Sequence, residues 1–170
     1  LNKLIQFTLQ DPRLASTIAE IVKKVIPSDS MVFIPEISLI ETGVKLSDQL
    51  NRLGIPTVYY SGSYVNSPVG KIKITLEELK EMARQRHFKI LISNTVGVEG
   101  IDIPNLSSII PLTGVSFKSV IQPIGRSARS SLVHCVFIWD ETNPLYMRQN
   151  KDRYKIVRKL NVVSENKISL

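Results

Sequence analysis

Two arginines three residues apart, Arg126 and Arg129, follow the turn glycine Gly125 in the segment QPIGRSAR at residues 122–129. A guanidinium offers a planar fork of donors that grips phosphate oxygens in pairs, and it is among the few side chains able to neutralise charge developing on a transferring phosphoryl group. The chain nevertheless contains no GxxxxGK loop followed by Ser or Thr to cradle phosphates. It also lacks an acidic segment suited to holding Mg²⁺ and positioning a water. Phosphate-seeking arginines without a phosphate-binding loop point to part of a nucleotide-driven machine rather than a complete enzyme. The structural alternative is that the two arginines cap a helix or join surface salt bridges.

Those arginines need a framework, and 170 residues, 43% of them hydrophobic, suffice to bury one substantial core. A formal net charge of +7 favours a polyanionic partner or surface, with simple solvation as the alternative. A single cysteine, Cys135, excludes an intramolecular disulfide framework; with His87 and His134 as the only histidines, no zinc cluster assembles. The apolar runs are strand-sized, with neither a membrane span nor a secretory leader among them, so an intracellular, cytoplasmic protein without a membrane partner is expected, in the host cytoplasm or a viral particle if the source is viral. The start on Leu1 suggests a fragment or a processed product.

Helix and strand signals alternate along the chain. Asp11-Pro12 makes a cap and first turn, and Leu14, Ile18, Ile21, Val22 and Val25 then recur on one helical face that Pro27 ends. Residues 31–34 read as a short buried strand. Ser38 and Glu41 have capping-box spacing ahead of a stripe of Leu39, Gly43, Leu46, Leu50 and Leu53, closed by Gly54 and Pro56. Residues 57–60 are strand-like, whereas 61–70, rich in Gly, Ser, Asn and Pro, read as a surface loop. Thr75 and Glu78 form a second capping box with Leu76, Leu79 and Ala83 facing inward. Residues 89–92, 107–112 and 133–139 are further strand candidates, and 117–125 a short helix leading to the arginines. Short apolar strands separated by helices imply an α/β domain whose mostly parallel sheet is covered on both faces. Ligands of such sheets bind beyond the carboxyl ends of the strands, where residues 93–102 would lie.

SNTVGVEGIDIP at residues 93–104, followed about twenty residues later by QPIGRSAR, resembles motifs V and VI of the second RecA-like domain of superfamily 2 helicases and translocases. MVFIP at 31–35 is similar to the start of motif IV, and VYYSG at 58–62 resembles the next strand and turn. The resemblance covers roughly residues 11–140. It implies a three-layer RecA-like fold of the P-loop NTPase type lacking its own P-loop, with residues 1–143 as the helicase C-terminal domain. Residues 144–170 would then be a basic helix and tail packed on it or extending it.

The resemblance also implies roles. ATP and Mg²⁺ would be held mainly by an N-terminal RecA-like domain of the same polypeptide. Arg129 would act as the finger on the terminal phosphates, Arg126 would hold phosphate oxygens in line, and Gln122 would link the nucleotide cleft to the nucleic-acid groove. Gly100 would keep the backbone close to the nucleotide, and Asp102 would approach its ribose or the arginine network. Thr95 would offer its hydroxyl to a phosphate of DNA, or of RNA; its structural alternative is an ordinary helix cap, and for Asp102 local backbone hydrogen bonds. Pro123 departs from the arginine frequent at its position, so one coupling contact is missing or supplied elsewhere.

Further nucleic-acid contacts are expected from Ser61 and from Tyr64, the best placed of three tyrosines to be exposed. Core packing is expected for Tyr59 or Tyr60, since alternation buries at least one of them. Residues 145–160 can form a helix bearing Arg148, Lys151, Arg153, Lys155, Arg158 and Lys159. It either tracks nucleic acid or docks through Tyr146, Ile156, Val157 and Leu160 with its basic side chains in solvent. The expected whole is the second motor domain of an ATP-dependent helicase or translocase, inactive alone. A non-catalytic nucleic-acid-binding module and an α/β protein-interaction domain are the alternatives.

Overall fold

A computed structural model describes residues 9–94, 103–113, 133–139, 141–159 and 165–167. Helix α1 (Pro12–Lys24) begins where the sequence says it should. The Asp11 carboxylate accepts the Arg13 backbone N–H at 3.0 Å, Pro12 presets the first turn, and Lys23 and Lys24 sit at the negative end of the helix. Its buried stripe of Leu14, Ile18, Ile21 and Val22 faces the sheet.

Strand β1 (Met31–Ile34) is buried on both faces, and helix α2 (Ile40–Arg52) follows it. The Ser38–Glu41 capping box is not made: Leu39 is the N-cap and no side chain caps the helix. Tertiary bonds to the preceding loop decide where the chain enters the helix. The buried stripe is accordingly Gly43, Leu46 and Leu50 with Thr42 and Ser47, while Leu39 and Leu53 are exposed.

Strand β2 (Thr57–Ser61) leads into the main departure from expectation. Residues 61–70 are not an open loop: β3 (Tyr64–Ser67) and β4 (Gly70–Lys73) form two successive antiparallel hairpins on β2. The first turn has Gly62 at φ 55° and Ser63 at φ 75°, the paired positive angles of a two-residue hairpin turn whose twist matches that of the strands. Backbone pairing to β2 thus gives strand structure to a polar segment whose composition read as loop.

Helix α3 (Leu76–Arg84) carries the expected capping box, with Thr75 and Glu78 each accepting the other's backbone N–H. Strand β5 (Ile90–Ser93) is followed by β6 (Leu106–Ile109) and β7 (His134–Cys135), and helix α4 (Pro144–Val157) closes the described part of the chain. β6 and β7 are shorter than their apolar runs, because the ladder ends where each strand outruns its partner. Among the described residues the sheet has seven strands in the order β4-β3-β2-β5-β1-β6-β7, parallel from β2 to β7.

Alternation along the central strands splits the core in two. Val32, Ile34, Tyr59, Ile90 and Ile92 pack with α1 and α2 on one face. Met31, Phe33, Tyr60 and Leu91 pack with Leu79 and Ala83 of α3 on the other. Both adjacent tyrosines are therefore buried, one in each layer. A helix–sheet–helix sandwich results, in which each fully buried aliphatic side chain contributes about 1.5–3 kcal/mol.

Candidate functional site

Because β2, β5, β1, β6 and β7 run parallel, the segments that leave their carboxyl ends gather along one edge of the sheet. At the centre of that edge the loop after β1 is tied down from several sides. The Ile37 N–H donates to the Ser93 carbonyl at the end of β5 at 2.9 Å. The Tyr59 hydroxyl donates to the Ile37 carbonyl at 2.7 Å, and the Thr113 hydroxyl donates to the Glu36 carbonyl at 2.7 Å. Glu36 itself holds a left-handed backbone, φ 62°, which is uncommon for a residue with a side chain and persists when its surroundings fix it.

Two ionisable groups record how dry this region is. Burial pushes the Tyr59 phenol above its ordinary range, with the Ser61 hydroxyl acting in the opposite sense. Burial likewise draws the Arg153 guanidinium below the usual arginine range, while Tyr146, Glu36 and Asp152 act against that shift. Arg153 is completely buried. Its Nη2 donates to the Leu112 carbonyl beyond β6 at 3.3 Å, its Nε donates to Asn150 Oδ1 at 3.2 Å, and its guanidinium lies 5.4 Å from the Tyr146 ring centroid. Asn150 in turn donates to the Ile138 carbonyl beyond β7. Helix α4 is thus anchored across the carboxyl ends of β6 and β7. Of the two readings of this helix, the docked one has its Tyr146 buried as it requires, but Arg153 is buried as well, where that reading put every basic side chain in solvent.

Of the expected site residues, Ser61 and Tyr64 lie within the described part. Ser61 ends β2 and is 7% exposed. Tyr64 begins β3, is half-buried, and has Lys71 Nζ 4.6 Å from its ring centroid. The first hairpin turn places both at the carboxyl edge, with Tyr64 paired to Ser61 across it. Thr95, Gly100 and Asp102, together with Gln122, Arg126 and Arg129, lie outside the described residues, as does the helix expected at 117–125. Ser93, which ends β5 two residues before Thr95, and Thr113, the last described residue before 133, are both bonded to the β1 loop.

Glu36, Thr113 and Arg153 were not singled out for this edge by sequence reasoning. For Arg153 a signal exists: Tyr146, Asn150, Arg153 and Val157 recur at spacings of four, three and four, a helical stripe in which two of the members are polar. Reading only apolar residues as inward-facing hides such a stripe.

A family model described as "Helicase conserved C-terminal domain" matches residues 13–131. No curated protein matches the chain. Among solved structures the chain is similar to UvsW of T4, at 18% identity and a TM-score of 0.63 over 94% of this chain and 35% of that one. It is similar to the DEAD-box protein SrmB of E. coli, solved bound to regulator of ribonuclease activity A, at 18% identity and a TM-score of 0.59 over 89% and 81% of the two chains. The C-terminal domain of S. cerevisiae Dbp5, bound to Gle1 and IP6, gives 18% identity and a TM-score of 0.56 over 88% and 80%. At these identities the likeness establishes the fold. The family match spans well over half of the chain and takes in both the 93–104 and 122–129 segments: the chain belongs to the helicase conserved C-terminal domain family, with the RecA-like fold of helicase C-terminal domains.

Proposed function

We propose that this chain is the second motor domain of an ATP-dependent nucleic-acid helicase or translocase. ATP with Mg²⁺ is the substrate, bound mainly by a preceding RecA-like domain of the same polypeptide. Arg129 neutralises charge on the γ-phosphoryl group as water attacks, and Arg126 holds its oxygens in line. Asp102 and Gly100 approach the nucleotide, Gln122 couples it to the groove, and Thr95 contacts the nucleic-acid backbone with Ser61 and Tyr64 nearby. Closure of the two domains on ATP and release after hydrolysis alternate the grip on the strand. Residues 1–143 form the motor domain and 144–170 its basic helix and tail.

The observation that carries this reading is the family match across residues 13–131, which contains both arginines and the 93–104 segment in the order the function requires. Its support in the fold is the parallel carboxyl edge from which the second segment, after β5, departs. The test is ATP hydrolysis by the polypeptide joining this domain to the preceding one, titrated with single-stranded, duplex and branched DNA and with RNA. Nucleic-acid-stimulated hydrolysis is expected. Arg129→Ala should keep nucleic-acid binding and lose about 10³-fold in kcat. Turnover equal to that of the unsubstituted protein would reject the finger.

A further inference from the structure

Helix α4 carries its charge in an unusually ordered way. Arg148, Lys151 and Lys155 of the helix and Arg158 at its C-cap, all exposed, follow one another at spacings of three, four and three, and the exposed Lys159 comes directly after the cap. At about 100° per residue the first four fall within an arc of about 80°, as a ridge ~15 Å long. Tyr146, Asn150 and Arg153, which are buried, point the opposite way. Among the described residues the ridge has a single acidic partner, Asp152, 3.8 Å from Lys155. Like charges at i,i+4, such as Lys151 with Lys155, destabilise a helix on their own account.

An aromatic group borders this ridge. The Tyr154 ring is met edge-on by Phe137 at 5.8 Å and by Trp139 at 6.4 Å between centroids, and the Arg158 guanidinium lies 5.7 Å from its centre. Trp139 and Arg158 thus share the Tyr154 ring, and 43% of Trp139 stays exposed. A large aromatic surface kept in water next to aligned cations suits a ligand that offers both phosphates and flat bases.

From this juxtaposition we infer that the outer ridge of α4 and Trp139 form a nucleic-acid-binding surface made of residues other than those of the 93–104 and 122–129 segments. It takes single-stranded nucleic acid: the cations follow the phosphates, and an unpaired base stacks on Trp139. An anionic lipid surface fits less well, since the inner face of α4 is already docked on the domain and leaves no apolar face to insert. The choice of nucleic acid among polyanions rests on the motor-domain reading, whereas the surface itself rests on α4.

Trp139 is the sole tryptophan of the 170-residue chain, so it reports its own contacts. Titration with a 15-nucleotide oligothymidylate should quench its emission. The triple variant Arg148→Gln, Lys151→Gln, Lys155→Gln should fold with an unchanged circular dichroism spectrum and raise Kd at least tenfold at 0.1 M NaCl. It should also flatten the dependence of log K on log salt by about 2, at about 0.7 per lost phosphate contact. Trp139→Phe, followed by anisotropy of a labelled oligonucleotide, should weaken binding and leave that slope unchanged. The inference is overturned if the triple variant binds with the original Kd and slope, if binding leaves the emission unaltered, or if phosphatidylserine vesicles bind the chain and the oligonucleotide does not. Failure of ATP hydrolysis in the two-domain polypeptide, with the oligonucleotide results as expected, would remove the motor reading and leave this surface standing.

Discussion

Gly43 of α2 sits directly against the ring of Tyr59 on β2: a Cβ at position 43 would lie 2.4 Å from Tyr59 Cε2. The ring has little room to retreat, because its hydroxyl is bonded to the Ile37 carbonyl and its whole side chain is buried. A missing side chain on the helix thus sets how closely α2 approaches the sheet. Through Tyr59, the same contact reaches the loop that follows β1.

Gly43→Ala should therefore destabilise the domain, although alanine is the better helix former. The clash costs about 1–3 kcal/mol as overpacking, against a propensity gain of up to about 1 kcal/mol. Urea denaturation in two backgrounds checks the cause. With Tyr59→Phe the ring remains and the penalty should persist, while with Tyr59→Leu it should disappear or reverse. A penalty of equal size in all three backgrounds would place the strain elsewhere.

Arg153→Met should cost about 2–3 kcal/mol, since it removes buried charge-assisted bonds and leaves the Leu112 carbonyl without that donor. Lys155→Met, on the exposed face of the same helix, should stay within about 0.5 kcal/mol. Equal midpoints for the two variants in urea would show that the buried guanidinium does not anchor α4.

Asp11 makes a pH-dependent contribution whose sign follows from its partner. Side-chain hydrogen bonds from Arg13 hold its carboxyl below the ordinary value of 3.8. Because the folded value is the lower one, the stabilisation is present above 3.8 and is lost as pH falls through the folded value. Asp11→Asn keeps a capping oxygen and removes the charge, so its stability gap from the unsubstituted protein should close on acidification. Asp11→Ala should lose about 1 kcal/mol at pH 7 as the cap itself disappears. Unfolding curves between pH 7 and pH 3 measure both, and a gap for Asp11→Asn that widens with acid would contradict the assignment.

Much of the framework was legible because it is encoded locally. A cap, a first-turn proline and a one-sided apolar stripe sufficed for α1, and the Thr75–Glu78 pair for the start of α3. The segments with family character could be recognised from residue order alone. Tyr64 was correctly taken as less buried than Tyr59 and Tyr60, but that reasoning reached only a minimum for the other two, and pairing on both sides of β2 buries both.

What the sequence determined by itself was the alternation of helix and strand, most helix ends, and the two segments that tie the chain to its family, since these depend on neighbours within a few residues. The tertiary structure decided the rest. Residues 64–73 became strands because β2 offered them an edge to pair with, and the Ser38 cap was forgone because bonds from Ser93, Thr113 and Tyr59 fix the loop before α2. Arg153 went inside because carbonyls at the ends of β6 and β7 needed donors, directly or through Asn150. The Ser38 and Arg153 outcomes turn on partners distant in the chain, and a polar residue's choice between water and a buried partner is settled only when folding brings that partner within reach.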